Sequence, residues 1–153
     1  MAENKVTFEK IEQEIYKTHL DRCREEFASI LKELDDYVLS IVDKSLFQVV
    51  GAKEKVIKTI FGTVTFPRRL YRLGQSNGDD GTVYLLDELL NINSIGRLST
   101  CVAQKVHSMR ESNLSYRDIS NALKAENNIE ITRQAIPNIL YAYENYISNK
   151  QSV

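Results

Sequence analysis

Residues 114–140 read LSYRDISNALKAENNIEITRQAIPNIL, a pattern typical of two helices joined by a polar connection. Ser115 is a helix-capping residue type, and Asp118 completes a variant of the capping box three positions later. Residues 125–131 interrupt the apolar period. The stretch therefore predicts a first helix after Ser115, and its inner face would carry Tyr116, Ile119, Ala122 and Leu123.

A second helix is predicted to begin after Thr132, which is also a capping residue type. Its inner face would be formed by Ala135, Ile136, Ile139 and Leu140. Three polar side chains then lie on the outer side near the start of the helix: Arg133, Gln134 and Asn138. In a helix-turn-helix, residues at this position reach base edges, and these side-chain types pair bidentately with guanine or adenine. We therefore predict that these three residues read DNA bases.

An ordinary helical hairpin, in which Arg133 and Gln134 are solvated surface, is the alternative interpretation of this pattern. The connection of roughly six residues is longer than the usual three-to-four-residue turn of a helix-turn-helix. Pro137 would fall inside the second turn of the second helix, where it removes a backbone hydrogen bond. It predicts a kink or an irregular first turn.

The composition places the chain among soluble globular proteins. Its 153 residues amount to about one domain, with 42% hydrophobic and 27% charged residues. No apolar run is long enough to span a membrane, and the amino terminus has no apolar signal core, so we expect a cytoplasmic protein. Cys23 and Cys101 lie far from any Cys or His at ligand spacing and are expected to be reduced, mostly buried thiols. We expect no metal and no cofactor.

The net charge of −1 argues against a strong non-specific binder of polyanions. Basic charge is concentrated in residues 48–73, whereas residues 1–47 are acidic. The only acidic residue of this central segment is Glu54, whereas its basic residues are Lys53, Lys55, Lys58, Arg68, Arg69 and Arg72. Both a phosphate-facing patch and a scattered solvated face are compatible with this distribution.

Residues 7–43 have the pattern of one long helix. Thr7 is a candidate N-cap, no Gly or Pro interrupts the stretch, and apolar residues recur at steps of three and four. About 36 helical residues would span roughly 54 Å, which is too long for one side of a small domain. Residues 1–46 are therefore expected to pack on a neighbouring helix or to pair with a second copy of the chain.

The period changes to β-type alternation in residues 47–73, where β-branched and aromatic residues predominate. Phe61-Gly62 is the predicted turn of an antiparallel hairpin, with Gly62 supplying a positive φ. Pro67 predicts that the second strand is an edge strand or bends there, because proline cannot donate to a ladder.

A loop at residues 74–81 precedes a predicted third strand, Thr82–Leu86, and a short helical or turn segment that begins at Asp87. Residues 47–98 are thus expected to form a small three-stranded antiparallel sheet and a connector. Residues 99–153 return to the helical period and are expected to form a helical region that contains a helix-turn-helix. With the long helix, these parts predict a single α+β unit.

Four ordered stretches resemble one known family. Residues 57–72, IKTIFGTVTFPRRLYR, are followed by VYLLDELL at 83–90, LSYRDIS at 114–120 and ITRQAIPNIL at 131–140. The first stretch carries the ordered motif residues Thr59, Gly62, Val64, Phe66, Arg68, Arg69 and Tyr71. Together these stretches resemble the amino-terminal region of the IS-Lre family of insertion-sequence transposases, a group long catalogued as an uncharacterised protein family.

The resemblance implies that the chain is the amino-terminal, DNA-binding region of an enzyme that cuts and joins DNA strands. In such enzymes an acidic triad holds divalent metal, and two metals stabilise the attacking and leaving oxygens of a phosphodiester. The catalytic domain would follow the two predicted helices, so we expect it to be absent from this chain.

Paired carboxylates occur at Asp35-Asp36, Asp79-Asp80 and Asp87-Glu88. We interpret the first pair as a solvated helix face and the second as turn chemistry in a Gly-rich loop. The third belongs to the Leu-Leu-Asp-Glu run and is interpreted as structural. No Gly-rich phosphate loop, nucleophile elbow or metal motif occurs in the sequence. We therefore expect no catalysis from this chain.

Four arginines are candidate phosphate contacts: Arg68, Arg69 and Arg72 in the predicted hairpin, and Arg117 in the first of the two helices. Adjacent strand residues point to opposite faces, so Arg68 and Arg69 are not expected to share one face. Ion pairs to the acidic first helix are the alternative role for the hairpin arginines.

The leading hypothesis is sequence-specific binding of double-stranded DNA, at the ends of an element, by the amino-terminal part of a transposase-like protein. The alternative is a protein-interaction module whose long helix forms a homodimer or pairs with full-length transposase. A free-standing enzyme is the least favoured class. Substitution of Arg133 and Gln134 separates the first two, because only the first requires those side chains.

Overall fold

The computed structural model of the chain describes residues 5–74 and 81–151. Its helices and strands are, in chain order, α1 (Phe8–Ile41), β1 (Phe47–Thr59), β2 (Gly62–Leu73), β3 (Thr82–Val83), α2 (Leu85–Leu90), a 3₁₀ helix (Ile92–Ile95), α3 (Thr100–Glu111), α4 (Tyr116–Asn127) and α5 (Ile136–Gln151). This α+β architecture confirms the predicted fold class. Over these described ranges, none of the helices has both the length and the apolar character needed to cross a bilayer.

The long helix α1 begins where the sequence predicts. The hydroxyl of Thr7 accepts a hydrogen bond from the Lys10 backbone N–H at 3.1 Å, and the chain leaves the helix at Val42 in an extended conformation. Leu31 and Val38, in the second half of the helix, are buried against the rest of the protein. Phe8, by contrast, is 85% exposed. The helix is thus covered towards its carboxyl end and uncovered towards its amino end.

The three strands form an antiparallel sheet in the order β1–β2–β3. Thr59 pairs with Gly62, so the two turn residues are Ile60 and Phe61. The predicted turn at Phe61-Gly62 is therefore displaced by one residue. Gly62 has the expected positive φ, of 113°. The Thr59 hydroxyl accepts from the Phe61 N–H at 3.1 Å and donates to the Gly62 carbonyl at 2.8 Å, which holds the tight turn closed.

Pro67 lies in the central strand of the sheet, paired with Glu54 of β1, so the prediction of an edge strand is wrong for β2 as a whole. On its other side β2 pairs with β3 only at Tyr71 and Arg72. Within the described ranges, no strand lies beside Pro67 on that side, so its missing N–H breaks no ladder there. The strand β3 is shorter than predicted because the chain enters α2 at Leu85. The predicted loop falls largely on residues 75–80, which lie outside the described residues.

Buried apolar side chains form two clusters. The sheet cluster lies between α1, the β-hairpin and α2, and contains Leu31, Ile57, Val64, Phe66 and Leu86. The helical cluster lies among α3, α4 and α5, and contains Ile95, Leu98, Val102, Ala103, Val106, Ile119, Leu123, Ile129, Ile131 and Ile136. Inner-face residues predicted for the two helices of residues 114–140, Ile119, Leu123 and Ile136, belong to the second cluster.

The first of these helices, α4, is capped as predicted, since the Ser115 hydroxyl accepts from the Asp118 N–H at 3.1 Å. It ends at Asn127, and Asn128 adopts a left-handed conformation with φ 52°. Residues 128–135 then connect α4 to α5. Ile129 and Ile131 of this connection are buried, so the connection is not only polar but also packs into the helical cluster.

The second helix, α5, begins at Ile136, three residues later than a cap at Thr132 would place it. Before it, the Ala135 N–H donates to the Thr132 carbonyl at 3.0 Å and the Ile136 N–H to the Arg133 carbonyl at 3.3 Å. Pro137 therefore lies in the first turn, where a missing N–H costs no helical hydrogen bond. The expected irregularity is found in the turn that precedes the helix.

Candidate nucleic-acid interface

The three predicted base readers lie together at the start of α5. Arg133 and Gln134 occupy the turn before the helix, Asn138 lies in its first turn, and all three are exposed. Ile136, between them in the chain, is fully buried in the helical cluster and anchors this segment. Within residues 5–74 and 81–151, no hydrogen bond or ion pair engages the three side chains.

Arg117 lies in the first turn of α4 and is exposed. In the part of the chain that the structure describes, its guanidinium has no acidic or carbonyl partner. Its charge is therefore available to a ligand.

Arg68 is placed differently. Only 7% of it is exposed, and its Nε and Nη2 atoms donate to the carboxylate of Asp87 at 3.1–3.3 Å. Nη1 donates to the Lys53 carbonyl at 3.0 Å, and the guanidinium lies 3.6 Å from the centre of the Tyr84 ring. Because the protein itself engages these donors, Arg68 ties α2 to the sheet and is not presented to a phosphate.

Arg69 is tied to α1. Its Nη1 donates to Asp35 and to Asp36, both at 2.8 Å, and its backbone N–H donates to Asp35 at 3.2 Å. The hydrogen bond to Asp36 raises the pKa of Arg69 above its ordinary value, against the opposing effect of burial, with Asp35 adding to the rise. These are the ion pairs to the first helix that the sequence allowed as an alternative. Asp35 is 5% exposed, so its interpretation as part of a solvated face is wrong, whereas Asp36 is exposed.

Arg72 and Tyr71 complete this part of β2. The Nε of Arg72 and the hydroxyl of Tyr71 are both buried, and neither has a hydrogen-bond partner among the described residues. Burial raises the pKa of Tyr71, and the nearby charge of Asp35 adds to the effect. The structure therefore gives the three hairpin arginines three different surroundings and does not gather them into one phosphate clamp.

A family model described as "Uncharacterised protein family (UPF0236)" matches residues 1–151, from the long helix to the end of α5. The chain belongs to this family. A search of curated proteins found no match to the chain. The UPF0236 match includes each of the candidate base readers and candidate phosphate contacts named above.

Two of the three acidic pairs of the UPF0236 chain contribute carboxylates that bind arginines of β2. Asp87, in the first turn of α2, is buried against Arg68, while its neighbour Glu88 is exposed. Asp79-Asp80 lies outside the described residues. Among the residues that are described, no group of three or more His, Cys, Asp or Glu side chains is arranged to hold a metal ion. Both cysteines are free thiols, with Cys23 half-buried and Cys101 exposed, so the expectation of burial is wrong for Cys101.

Sequence reasoning missed one cation that lies close to the α4–α5 connection of the UPF0236 chain. Arg97 follows the 3₁₀ helix, and with Lys58 and Thr132 it lines a cleft of about 430 Å³ between β1 and that connection. A single arginine in an otherwise uncharged stretch, INSIGRLST, carries no local signal. Arg97 lines a cleft only because the fold brings a distant segment beside it, which contains Glu130, Ile131 and Thr132.

Proposed function

We propose that the chain binds double-stranded DNA by sequence, at the ends of an element, as the DNA-binding part of a transposase-like protein. The observation that carries the proposal is the cluster of Arg133, Gln134 and Asn138 at the start of α5, exposed and free of partners among the described residues. The resemblance of residues 57–140 to IS-Lre transposases supports the same assignment.

The chemistry of these side chains fits the edges of bases in the major groove. Arginine donates two parallel hydrogen bonds to O6 and N7 of guanine, and Asn and Gln pair bidentately with N6 and N7 of adenine. The groove is about 12 Å wide and admits one α-helix. Because Ile136 is buried, the start of α5 is held against the helical cluster while the three polar side chains remain free to enter the groove.

The proposed role is binding and not catalysis, and it requires no cofactor. Asp35, Asp36 and Asp87 each bond an arginine of β2, so their carboxylates serve the fold. Of the four arginines predicted from the sequence to contact phosphates, Arg117 keeps that role in the proposal because it is exposed and unengaged in the described part of the chain. The proposed setting is the cytoplasm.

The test is titration of the protein into duplex DNA that carries the terminal inverted repeat of an IS-Lre-type element, and into a scrambled duplex of the same composition. We expect tighter binding to the repeat. The double variant Arg133→Ala/Gln134→Ala should lose about 1–3 kcal/mol per base contact on the repeat and keep its weak binding to the scrambled duplex.

The matched control is Glu144→Ala/Asn145→Ala, which changes two exposed positions later in the same helix. It should preserve the preference for the repeat. Equal binding of the wild-type protein to both duplexes would contradict base reading.

A second candidate function is association with another protein through α1, either a second copy of the chain or a full-length transposase. Phe8, Ile11 and Ile15 follow one another at helical spacing, and 85%, 48% and 54% of these residues are exposed. An apolar stripe of this kind is typical of a helix that pairs with another helix. The Arg133→Ala/Gln134→Ala variant should leave such association unchanged, which separates the two candidates.

A further inference from the structure

The cleft beside α5 is bounded by three segments that are distant in sequence. Lys58 lies near the end of β1, Arg97 lies between the 3₁₀ helix and α3, and Glu130 and Thr132 belong to the α4–α5 connection. Leu98, also in its lining, is buried in the helical cluster. The cleft therefore has a packed apolar floor and a rim that carries two cations.

Arg97 is held in the rim by its backbone. Gly96 precedes it with φ 61° and ψ −122°, a conformation that a residue with a Cβ rarely adopts. The Lys58 N–H donates to the Arg97 carbonyl at 2.9 Å, and the Ser99 N–H donates to the Lys58 carbonyl at 2.9 Å. These two bonds fasten the segment to β1. The Arg97 side chain is exposed and has no partner in the described ranges.

Lys58 faces the cleft from the opposite segment. Its Nζ donates to the Glu130 carbonyl at 2.5 Å. An ammonium group has three donors, so two remain available. The carboxylate of Glu130 lies 3.4 Å from the Nζ of Lys124 on α4, which offsets its negative charge at the rim. Lys58 and Arg97 therefore leave the cleft with an excess of positive charge.

The cleft adjoins the proposed base readers. Thr132 and Ala135, which flank Arg133 and Gln134 in the chain, both contribute to its lining. A DNA strand whose bases lie against the start of α5 therefore has part of its backbone near the cleft. Protein–DNA complexes commonly divide the work in this way, with cations positioning the phosphates while neighbouring side chains read the bases.

We propose that Lys58 and Arg97 form a phosphate-binding site for the DNA backbone that flanks the bases read by Arg133, Gln134 and Asn138. This inference rests on the proposed DNA-binding function. It assigns the phosphate contact to Lys58 and Arg97 and not to Arg68 and Arg69, whose side chains are bound by carboxylates of the protein. The planar guanidinium of Arg97 matches a phosphate bidentately, and Lys58 acts as a point charge beside it.

The experiment measures binding to the repeat and to the scrambled duplex at several salt concentrations, for the wild-type protein, Arg97→Gln and Arg97→Lys. Each phosphate contact contributes about one unit to the slope of log K against log salt concentration. We expect Arg97→Gln to weaken binding to both duplexes by a similar factor and to reduce the slope by about one unit. Arg97→Lys keeps the charge and should retain most of the slope.

Lys44→Gln is the matched control, since it removes one exposed positive charge without touching the cleft. It lies just before β1, whereas Lys58 lies near the end of this 13-residue strand, roughly 35 Å away at the usual rise per residue. The control should leave both the affinity and the salt slope unchanged. Lys58→Gln is the second test variant, and it should lower the slope as Arg97→Gln does.

The outcomes separate this inference from the proposed function. If the wild-type protein prefers the repeat but both cleft variants match it in affinity and slope, the phosphate site is overturned and base reading stands. If the repeat is not preferred but the cleft variants still lower the slope, base reading is overturned and the phosphate site stands. If the wild-type protein binds neither duplex, both are overturned.

Discussion

Arg68 and Asp87 lie 19 positions apart in the chain and form a buried ion pair in which the guanidinium also stacks on Tyr84. Side-chain exposures of 8% and 4% leave both charges almost free of water. Such a pair is costly to bury, but removal of one partner is worse because the other charge is left uncompensated. The two residues therefore act as a unit that joins β2 to α2.

At this scale we predict that Asp87→Ala lowers the free energy of unfolding by about 3–5 kcal/mol, because it leaves Arg68 buried without a counter-charge. Chemical denaturation measures the change. Glu88→Ala, at the exposed neighbouring position, should stay within about 0.5 kcal/mol of the wild type.

The double variant Arg68→Met/Asp87→Leu provides a further check, since replacing both members of a buried pair with apolar residues is often neutral. It should regain most of the lost stability. A single Asp87→Ala variant as stable as the Glu88→Ala control would show that the pair does not hold the two elements together.

At the scale of elements, the tip of the β-hairpin is bound by side chains from two helices. The buried side chain of Asn127, at the end of α4, donates through Nδ2 to the Ile60 carbonyl at 2.9 Å and accepts from the Nζ of Lys105 at 2.7 Å. Arg24 of α1 donates to the Phe61 carbonyl at 2.6 Å. The hairpin turn thereby fixes α4, and with it the connection to α5, against the sheet.

We predict that Asn127→Ala lowers the free energy of unfolding by about 1–3 kcal/mol, because the partly buried Ile60 carbonyl and the Lys105 ammonium both lose a partner. Denaturant unfolding monitored by circular dichroism provides the measurement. Asn121→Ala, at an exposed position of the same helix, is the control and should have little effect. Equal stability of the two variants would argue that Asn127 does not join the hairpin to α4.

At the scale of the whole molecule, the first turns of α1 leave apolar surface uncovered. Phe8, Ile11 and Ile15 are exposed in these turns, whereas Leu31 and Val38, further along the helix, are buried. Tyr16, the next residue, already contacts the rest of the protein, since its hydroxyl donates to the Glu126 carbonyl of α4 at 3.0 Å. The stripe before it meets none of the described core residues and is the surface on which self-association would depend.

We predict concentration-dependent self-association of the wild-type chain, measured by sedimentation equilibrium, and its loss in Ile11→Glu/Ile15→Glu, because the added charges cannot be buried between helices. Tyr141→Glu changes an exposed aromatic residue on α5 that is 68% exposed and should leave association intact. A wild-type protein that remains monomeric throughout the accessible concentration range would remove homodimerisation from the candidate functions.

Much of the fold could be predicted because its signals are local. The hydroxyls of Thr7 and Ser115 cap their helices at the predicted positions, and Gly62 adopts the positive φ that the hairpin turn requires. The apolar phase of residues 114–140 also predicted that Ile119 and Ile136 are buried. Each of these features depends on residues within one or two turns of the chain.

The site could be predicted only in part. Arg133, Gln134 and Asn138 are exposed as predicted, but Arg133 and Gln134 lie in the turn before α5 and only Asn138 lies in the helix. No local pattern could show that Arg68 and Arg69 are engaged, because their carboxylate partners lie on α2 and α1.

By itself, the sequence determined the order of helices and strands, the caps of α1 and α4, and the inner faces of the helices. Short-range hydrogen bonding and periodic burial are set by neighbouring residues. The tertiary structure alone decided which cations remain free. Arg68 is buried in an ion pair with Asp87, and Arg69 forms an ion pair with α1. Arg97 is exposed and lies beside the α4–α5 connection. The availability of a charge depends on the partners that folding brings to it from distant parts of the chain.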